Sequence, residues 1–131
     1  MGQQQLLLIV LGVIIVGIAV VVGINVFTAS SSQANTDAVI ADLTNLASLA
    51  QQYYRKPEAL GGGGNKFDGW TIPASLDTTG NGNYELSGTP SGNSFTLIGH
   101  GNENGTVDPT AKVQVTMVVG ADKITSTTID K

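Results

Sequence analysis

Residues 6–27 read LLLIVLGVIIVGIAVVVGINVF, a stretch of 22 residues whose one strongly polar member is Asn25. As an α-helix this segment is about 33 Å long, which is about the thickness of the hydrocarbon core of a bilayer. Burying each large apolar side chain gains roughly 1.5 to 3 kcal/mol, so the segment does not remain in water. The sequence therefore predicts a helix that lies in lipid or packs against protein.

Three interpretations of this segment compete. A cleaved secretory signal has a basic region before an apolar core of about 7 to 15 residues, whereas residues 1–5 are uncharged and this core is longer. A single-pass membrane anchor fits the length, but no nearby Lys or Arg sets its orientation. The third interpretation is a helix that begins in a membrane and later packs in a filament core. Small residues that allow helices to approach closely interrupt its surface at Gly12, Gly17, Ala19 and Gly23.

Helical periodicity continues beyond the apolar segment, now with one apolar face. No Pro or Gly lies between Gly23 and Pro57, so nothing forces a break, and we expect one helix from about Gln3 to Tyr54. Its first half is apolar on all sides and its second half is amphipathic. The apolar face of the second half consists of Val39, Leu43, Leu46, Ala47, Ala50, Tyr53 and Tyr54.

Charge is confined to the rest of the chain. The six basic and ten acidic residues all lie at or after Asp37, and the net charge is −4. The basic residues are scattered, so we expect no nucleic acid as the primary partner. The sequence contains no cysteine, which removes disulfides, thiolate metal sites and cysteine nucleophiles.

The region after the helix begins with a loop rich in glycine. Pro57 is expected to end the helix, and Gly61–Asn65 has little intrinsic order. This stretch lacks the preceding strand and the Lys-Ser/Thr pair of a phosphate-binding loop, so we interpret it as a change of chain direction. Apolar residues that we expect beneath the core follow at Phe67, Trp70, Ile72 and Leu76.

From residue 83 onward the pattern indicates β-strands joined by short turns. In the third strand Val113, Val115 and Val119 alternate with polar residues, which is typical of a sheet with one buried face. The candidate strands are Asn83–Ser87, Ser94–His100, Ala111–Val119 and Lys123–Ile129. We predict an α+β fold in which the long N-terminal helix packs against a small antiparallel sheet of about four strands.

This pattern predicts two regions. Residues 1–30 form a hydrophobic helix that spans a membrane or lies in a filament core. Residues 31–131 form a globular head. Within the head we expect an amphipathic helix at 33–56, a glycine-rich loop at 57–82 and the antiparallel sheet at 83–131.

Few residues suggest a chemical site. His100 lies between two glycines at a probable strand end without an evident partner, so we expect an exposed loop residue. Asn104-Gly105-Thr106 is a glycosylation sequon. A turn-rich stretch offers weak calcium candidates, although it lacks the spacing of an EF-hand; they are Asp77, Asn81, Asn83 and Glu85. We predict no enzyme, no cofactor and no small-molecule substrate.

The segment Gln5-Leu6-Leu7-Leu8-Ile9-Val10, followed by this architecture, resembles the type IV pilins and pseudopilins. The family resemblance implies a leader that ends in Gly and is removed by a peptidase, and a Glu near the fifth mature position. Here either Met1-Gly2 precedes processing and Gln3 becomes the terminus, or the terminus is Met1 and Gln5 occupies the position of that Glu. A neutral amide can still accept a hydrogen bond from a neighbouring terminal amine.

The resemblance implies a structural subunit of an extracellular filament. Its identical copies would assemble through the N-terminal helix after residing in the cytoplasmic membrane. The residues expected to contribute to assembly are Gln5, Leu6, Leu7, Gly12, Gly17, Ala19 and Gly23. The alternative is a single-pass membrane protein whose small extracytoplasmic head binds a partner or ligand.

Overall fold

The computed structural model describes residues 2–131 as an α+β protein. One long helix, α1, runs over Gly2–Arg55, and a short 3-10 turn follows at Glu58–Leu60. The chain divides after Ser31 into two compact units. Within the described residues the first unit contains only helix, and the second contains the remainder of α1 and the whole sheet.

The sheet is an antiparallel meander whose strands lie side by side in chain order. Its five strands are β1 at Thr78–Thr79, β2 at Gly82–Leu86, β3 at Ser94–Asn104, β4 at Lys112–Gly120 and β5 at Ile124–Ile129. The predicted antiparallel sheet is confirmed. The additional strand, β1, has two residues and pairs with β2 across a tight turn, which is too short for an alternating pattern to reveal.

The core lies between one face of the sheet and the second half of α1. Side chains along β3 and β4 alternate between buried and half-buried positions, and pairing sets Leu97 opposite Met117. The predicted apolar face of α1 is confirmed and is extended toward Ser31 by buried Thr36. The core residues are Val39, Leu43, Leu46, Ala47, Ala50, Phe67, Trp70, Tyr84, Phe95, Leu97, Val113, Val115, Met117 and Val119.

Gly99 allows β3 to pass close to α1. A Cβ atom at this position would lie 2.7 Å from Val39 Cγ1 and 3.2 Å from Leu43 Cδ1. Interiors are packed so closely that neither branched side chain has room to retreat. The glycine therefore sets the distance between helix and sheet at the centre of the core.

The glycine-rich loop is ordered by the end of the helix. Gly63 N donates to Tyr53 O at 2.8 Å, and Asn65 N donates to Tyr54 O at 2.7 Å. The last carbonyls of a helix have no partner within it, so these bonds act as a C-terminal cap. A Cβ atom at Gly63 would lie 1.9 Å from Lys66 O, so the tight return requires glycine there. The loop thus closes the helix instead of serving only as a flexible connection.

The expectation for His100 is wrong. β3 continues through Asn104, so His100 lies within a strand, paired with Asn83 of β2. Its Nε2 atom is 3.0 Å from Glu85 Oε1, which gives it the partner that the sequence did not reveal. Gly, Asn and His have weak strand preference, but backbone pairing on both sides of β3 outweighs that preference.

Candidate functional site

The most unusual surface of the molecule is the apolar segment of α1. Every large apolar side chain from Leu6 to Phe27 is between 53% and 74% exposed. This helix is long and apolar enough to cross a membrane, and the window that meets this test has no buried residues. Covering these side chains would contribute tens of kcal/mol, at roughly 1.5 to 3 kcal/mol each. The segment therefore requires a surrounding that the described chain does not supply.

The polar groups in this segment need few hydrogen-bond partners from its environment. Thr28 Oγ1 donates to Ile24 O at 3.0 Å, so its hydroxyl is satisfied within the helix. Asn25 is exposed near the end of the segment, two residues before Phe27. A helix also satisfies its own backbone groups, which is the condition for residing in lipid. The segment is thus compatible with a bilayer without any charged partner.

The predicted small residues of α1 are exposed, and open space surrounds the three glycines among the described residues. A Cβ atom added at Gly12, Gly17 or Gly23 would meet nothing within 4 Å. Glycine in the middle of a helix costs about 1 kcal/mol relative to alanine, so its presence is not explained by helix stability. Gly12, Ala19 and Gly23 are spaced by seven and four residues and share one face, whereas Gly17 lies about 140° away from Gly12. The shared face therefore carries less side-chain volume than the rest of this segment.

The predicted processing and register residues lie at the start of α1. Gly2 and Gln3 are helical and exposed, and the same holds for Gln5, Leu6 and Leu7. The first turn contains no acidic residue to stabilise the free N–H groups of a helix start. The described residues therefore leave this end of the helix accessible on its sides.

A polar cluster that the sequence did not predict joins α1 to the turn between β1 and β2. Asp42 Oδ2 accepts hydrogen bonds from Thr79 Oγ1 at 2.9 Å, from Asn81 Nδ2 at 3.0 Å and from the Tyr84 hydroxyl at 2.5 Å. Asn35 adds a second connection, because its Nδ2 donates to Asn81 O at 2.9 Å. In the sequence, one feature indicates this cluster: Asp42 lies at the edge of the apolar face of α1.

The ionisation of this cluster follows from its geometry. Burial raises the pKa of the Asp42 carboxyl, but the hydrogen bonds from Tyr84, Asn81 and Thr79 outweigh burial, so the pKa lies below its ordinary value of 3.8. Burial and the adjacent carboxylate raise the pKa of Tyr84 above its ordinary value of 10.0. The charged carboxylate and the neutral phenol are thus the paired forms.

The structure does not bring the four calcium candidates together. The Asn81 amide is directed to Asp42, and Glu85 pairs with His100 on the opposite face of β2. Asp77 and Asn83 are exposed, and the backbone carbonyl of Asp77 accepts from Tyr84 N at 2.8 Å. Among residues 2–131, no group of three or more acidic, His or Cys residues could hold a metal ion.

The sequon lies at the end of β3. Asn104 is exposed, is the last residue of the strand and pairs with Lys112 of β4. Thr106 is also exposed, in the loop that follows.

Comparison of the chain with family models, with curated proteins and with solved structures finds no match. The interpretation of function therefore rests on the chain itself.

Proposed function

We propose that this protein is the structural subunit of an extracellular, type IV pilus-like filament. The observation that carries the proposal is the exposed apolar surface of Leu6–Phe27 in a chain whose core is built entirely from residues after Ser31. None of the core residues of the head lies in the apolar segment. The covering that this segment needs would come from other molecules, first lipid and then other copies of the same helix.

The small residues support packing between copies. The face formed by Gly12, Ala19 and Gly23 lets a second helix approach its backbone, and dispersion contacts between closely packed helices drive association where lipid offers no hydrophobic gain. If the contact between copies is head-to-tail and its rotation does not close, it generates a helical filament. Gln5 would set the register by accepting a hydrogen bond from a neighbouring terminal amine.

The head supplies the surface of the proposed filament. It contains every charged residue of the chain, and its core is complete without a partner. The proposed location is the cytoplasmic membrane before assembly and the cell surface afterwards. The head then lies outside the membrane in both states, which agrees with its polar exterior and the apolar character of the other unit.

Microscopy of sheared fibres tests this proposal. Fibres removed from cells by shearing are labelled with an antibody against the head and observed by electron microscopy. Labelling along the whole length of the fibres supports a structural subunit. Fibres without label, together with recovery of all the chain in membrane fractions, would rule it out.

A single-pass membrane protein with a ligand-binding head is the second candidate, and it is favoured by the length and apolar character of α1. Extraction separates the two functions. A membrane anchor remains in the bilayer after alkali or urea treatment and is absent from the sheared fraction. A filament subunit is recovered partly as polymer that sediments without detergent.

A further inference from the structure

The sequon at the end of β3 is a feature that the proposed function does not explain. It consists of Asn104, Gly105 and Thr106. We infer that Asn104 is a glycosylation site, at which the side-chain amide nitrogen receives an oligosaccharide from a lipid carrier. The inference rests on the part of the proposed function that places the head outside the cytoplasmic membrane, and it does not depend on filament formation.

The surroundings of Asn104 leave its amide free to react. No hydrogen bond joins this side chain to any other described residue, and the residue is exposed. Other asparagines of the same region are engaged: Asn102 Nδ2 donates to Gly80 O at 2.9 Å, and Asn35 Nδ2 donates to Asn81 O at 2.9 Å. A glycan on either of those two residues would break a contact that holds the head together. A glycan on Asn104 breaks none.

The rest of the sequon presents the site at the rim of the sheet. Gly105 is buried, and its N–H donates to Ala111 O at 2.8 Å, so the backbone of the sequon is fixed at the point where β3 ends. Thr106 then emerges into solvent on an exposed loop. The core of the head lies between α1 and the sheet, so a bulky group on Asn104 does not enter the core.

The chemical step is a glycosyl transfer. The Asn104 Nδ2 atom forms a bond to the anomeric carbon of the sugar, and the bond from that carbon to the phosphate oxygen of the lipid carrier breaks. The phosphate departs with the electron pair, and the amide nitrogen loses one proton to a base of the transferase. The co-reactant is a polyprenyl-phosphate or polyprenyl-pyrophosphate oligosaccharide, and the step involves no oxidation or reduction.

Intact mass measurement of the protein purified from the cells that produce it tests the inference. We expect one discrete mass increment equal to one oligosaccharide, located on the peptide that contains Asn104. The increment should be lost in Asn104→Gln and in Thr106→Ala, and it should remain in Thr106→Ser, which keeps the hydroxyl. Asn102→Gln is the matched control, because it changes an asparagine two residues away and should retain the increment.

Two results would overturn the inference: wild-type protein with the mass of the unmodified chain, and an increment that persists in Asn104→Gln. A second sequon separates this failure from failure of the proposed location. Glu85→Thr completes a sequon at exposed Asn83. Modification at Asn83 without modification at Asn104 would reject the Asn104 site and still place the head outside. Absence of both would reject the site and would also count against the proposed location.

Discussion

The Tyr84 hydroxyl on β2 donates a hydrogen bond of 2.5 Å to Asp42 Oδ2 on α1, and these residues are separated by 42 positions in the chain. The same carboxylate oxygen accepts from Thr79 and Asn81. Three donors from the β1–β2 region therefore converge on one acceptor of the helix. The contact fixes the edge of the sheet to α1 at the border of the apolar core, to which the Tyr84 ring belongs.

Replacing Asp42 with Ala should destabilise the head by about 1 to 3 kcal/mol, because three donors lose one shared acceptor at a partly buried site. Urea unfolding followed by circular dichroism measures the change. Asp37→Ala is the matched control on the same helix, since Asp37 is exposed and accepts its hydrogen bond from Gln33, within the same helix. Equal stability of the two variants would show that the cluster contributes nothing.

The Asp42 cluster should make stability fall in acid. The folded pKa of Asp42 lies below its ordinary value, so the stabilising contribution is present above about pH 3.8 and is lost as the pH falls through the folded pKa. Tyr84 behaves in the opposite sense: its folded pKa is raised, so its contribution is present below pH 10.0 and is lost as the pH rises toward the folded pKa.

Unfolding free energies measured across both pH ranges check these signs. Asp42→Asn should remove the part of the acid dependence that comes from this residue, and Tyr84→Phe should remove the corresponding alkaline part. Each variant should also weaken the other limb of the pH profile, because Tyr84 and Asp42 each contribute to the pKa shift of the other. Unchanged profiles in both variants would contradict the prediction.

Substitution of Gly99 with Ala should destabilise the head by about 1 to 3 kcal/mol, because a Cβ atom there comes within 2.7 Å of Val39 Cγ1. Gly80→Ala is the control, since a Cβ atom at Gly80 would meet nothing within 4 Å. Thermal unfolding of the two variants should differ by several degrees. A Gly99→Ala variant as stable as wild type would show that the helix and the sheet can separate at no cost.

Ala19→Trp should abolish filament assembly without changing the stability of the head, because a bulky side chain fills the face that a neighbouring helix approaches. Ala19→Gly keeps a small residue and should assemble. Electron microscopy counts fibres, and thermal unfolding confirms that both heads fold. Normal fibres from the Trp variant would contradict close packing at this face.

Removal of residues 1–31 should yield a soluble, folded monomer, since all the core residues lie at or after Val39. Circular dichroism should retain helix and strand signals, and light scattering should give the mass of one head. An unfolded product would show that the first unit supports the second. A stable oligomer would show that contacts between heads alone are sufficient for association.

Periodicity and composition were sufficient to predict the main elements of this fold. The buried residues of α1, such as Val39, Leu43 and Leu46, lie every three to four positions. The buried residues of β4 alternate with polar ones, as at Val113 and Val115, so in both elements the hydropathy pattern identifies the buried face. The C-terminal half of β3 has no alternating hydropathy pattern. Gly99 and Gly101 are buried there because the backbone approaches α1 and β2, and glycine carries no hydropathic signal for that approach.

The candidate sites were predictable only where they depend on local sequence. The apolar segment and the sequon are continuous stretches, so both could be located directly. The bonds of Asp42 join residues 37 to 42 positions apart, and the cap formed by Gly63 depends on the return of the chain to Tyr53. Such relationships follow from tertiary structure, and no spacing rule in the sequence encodes them.

The absence of charged side chains before Asp37 affects the free energy of assembling and disassembling the proposed filament. Lipid tails are about as apolar as leucine, so moving this helix between a bilayer and a bundle of its own kind exchanges two similar solvents. No ionised side chain of this helix must be stripped of water or neutralised in either direction. Growth and dismantling would then differ little in free energy, and a released subunit could re-enter the membrane with its head still folded, ready to be used again.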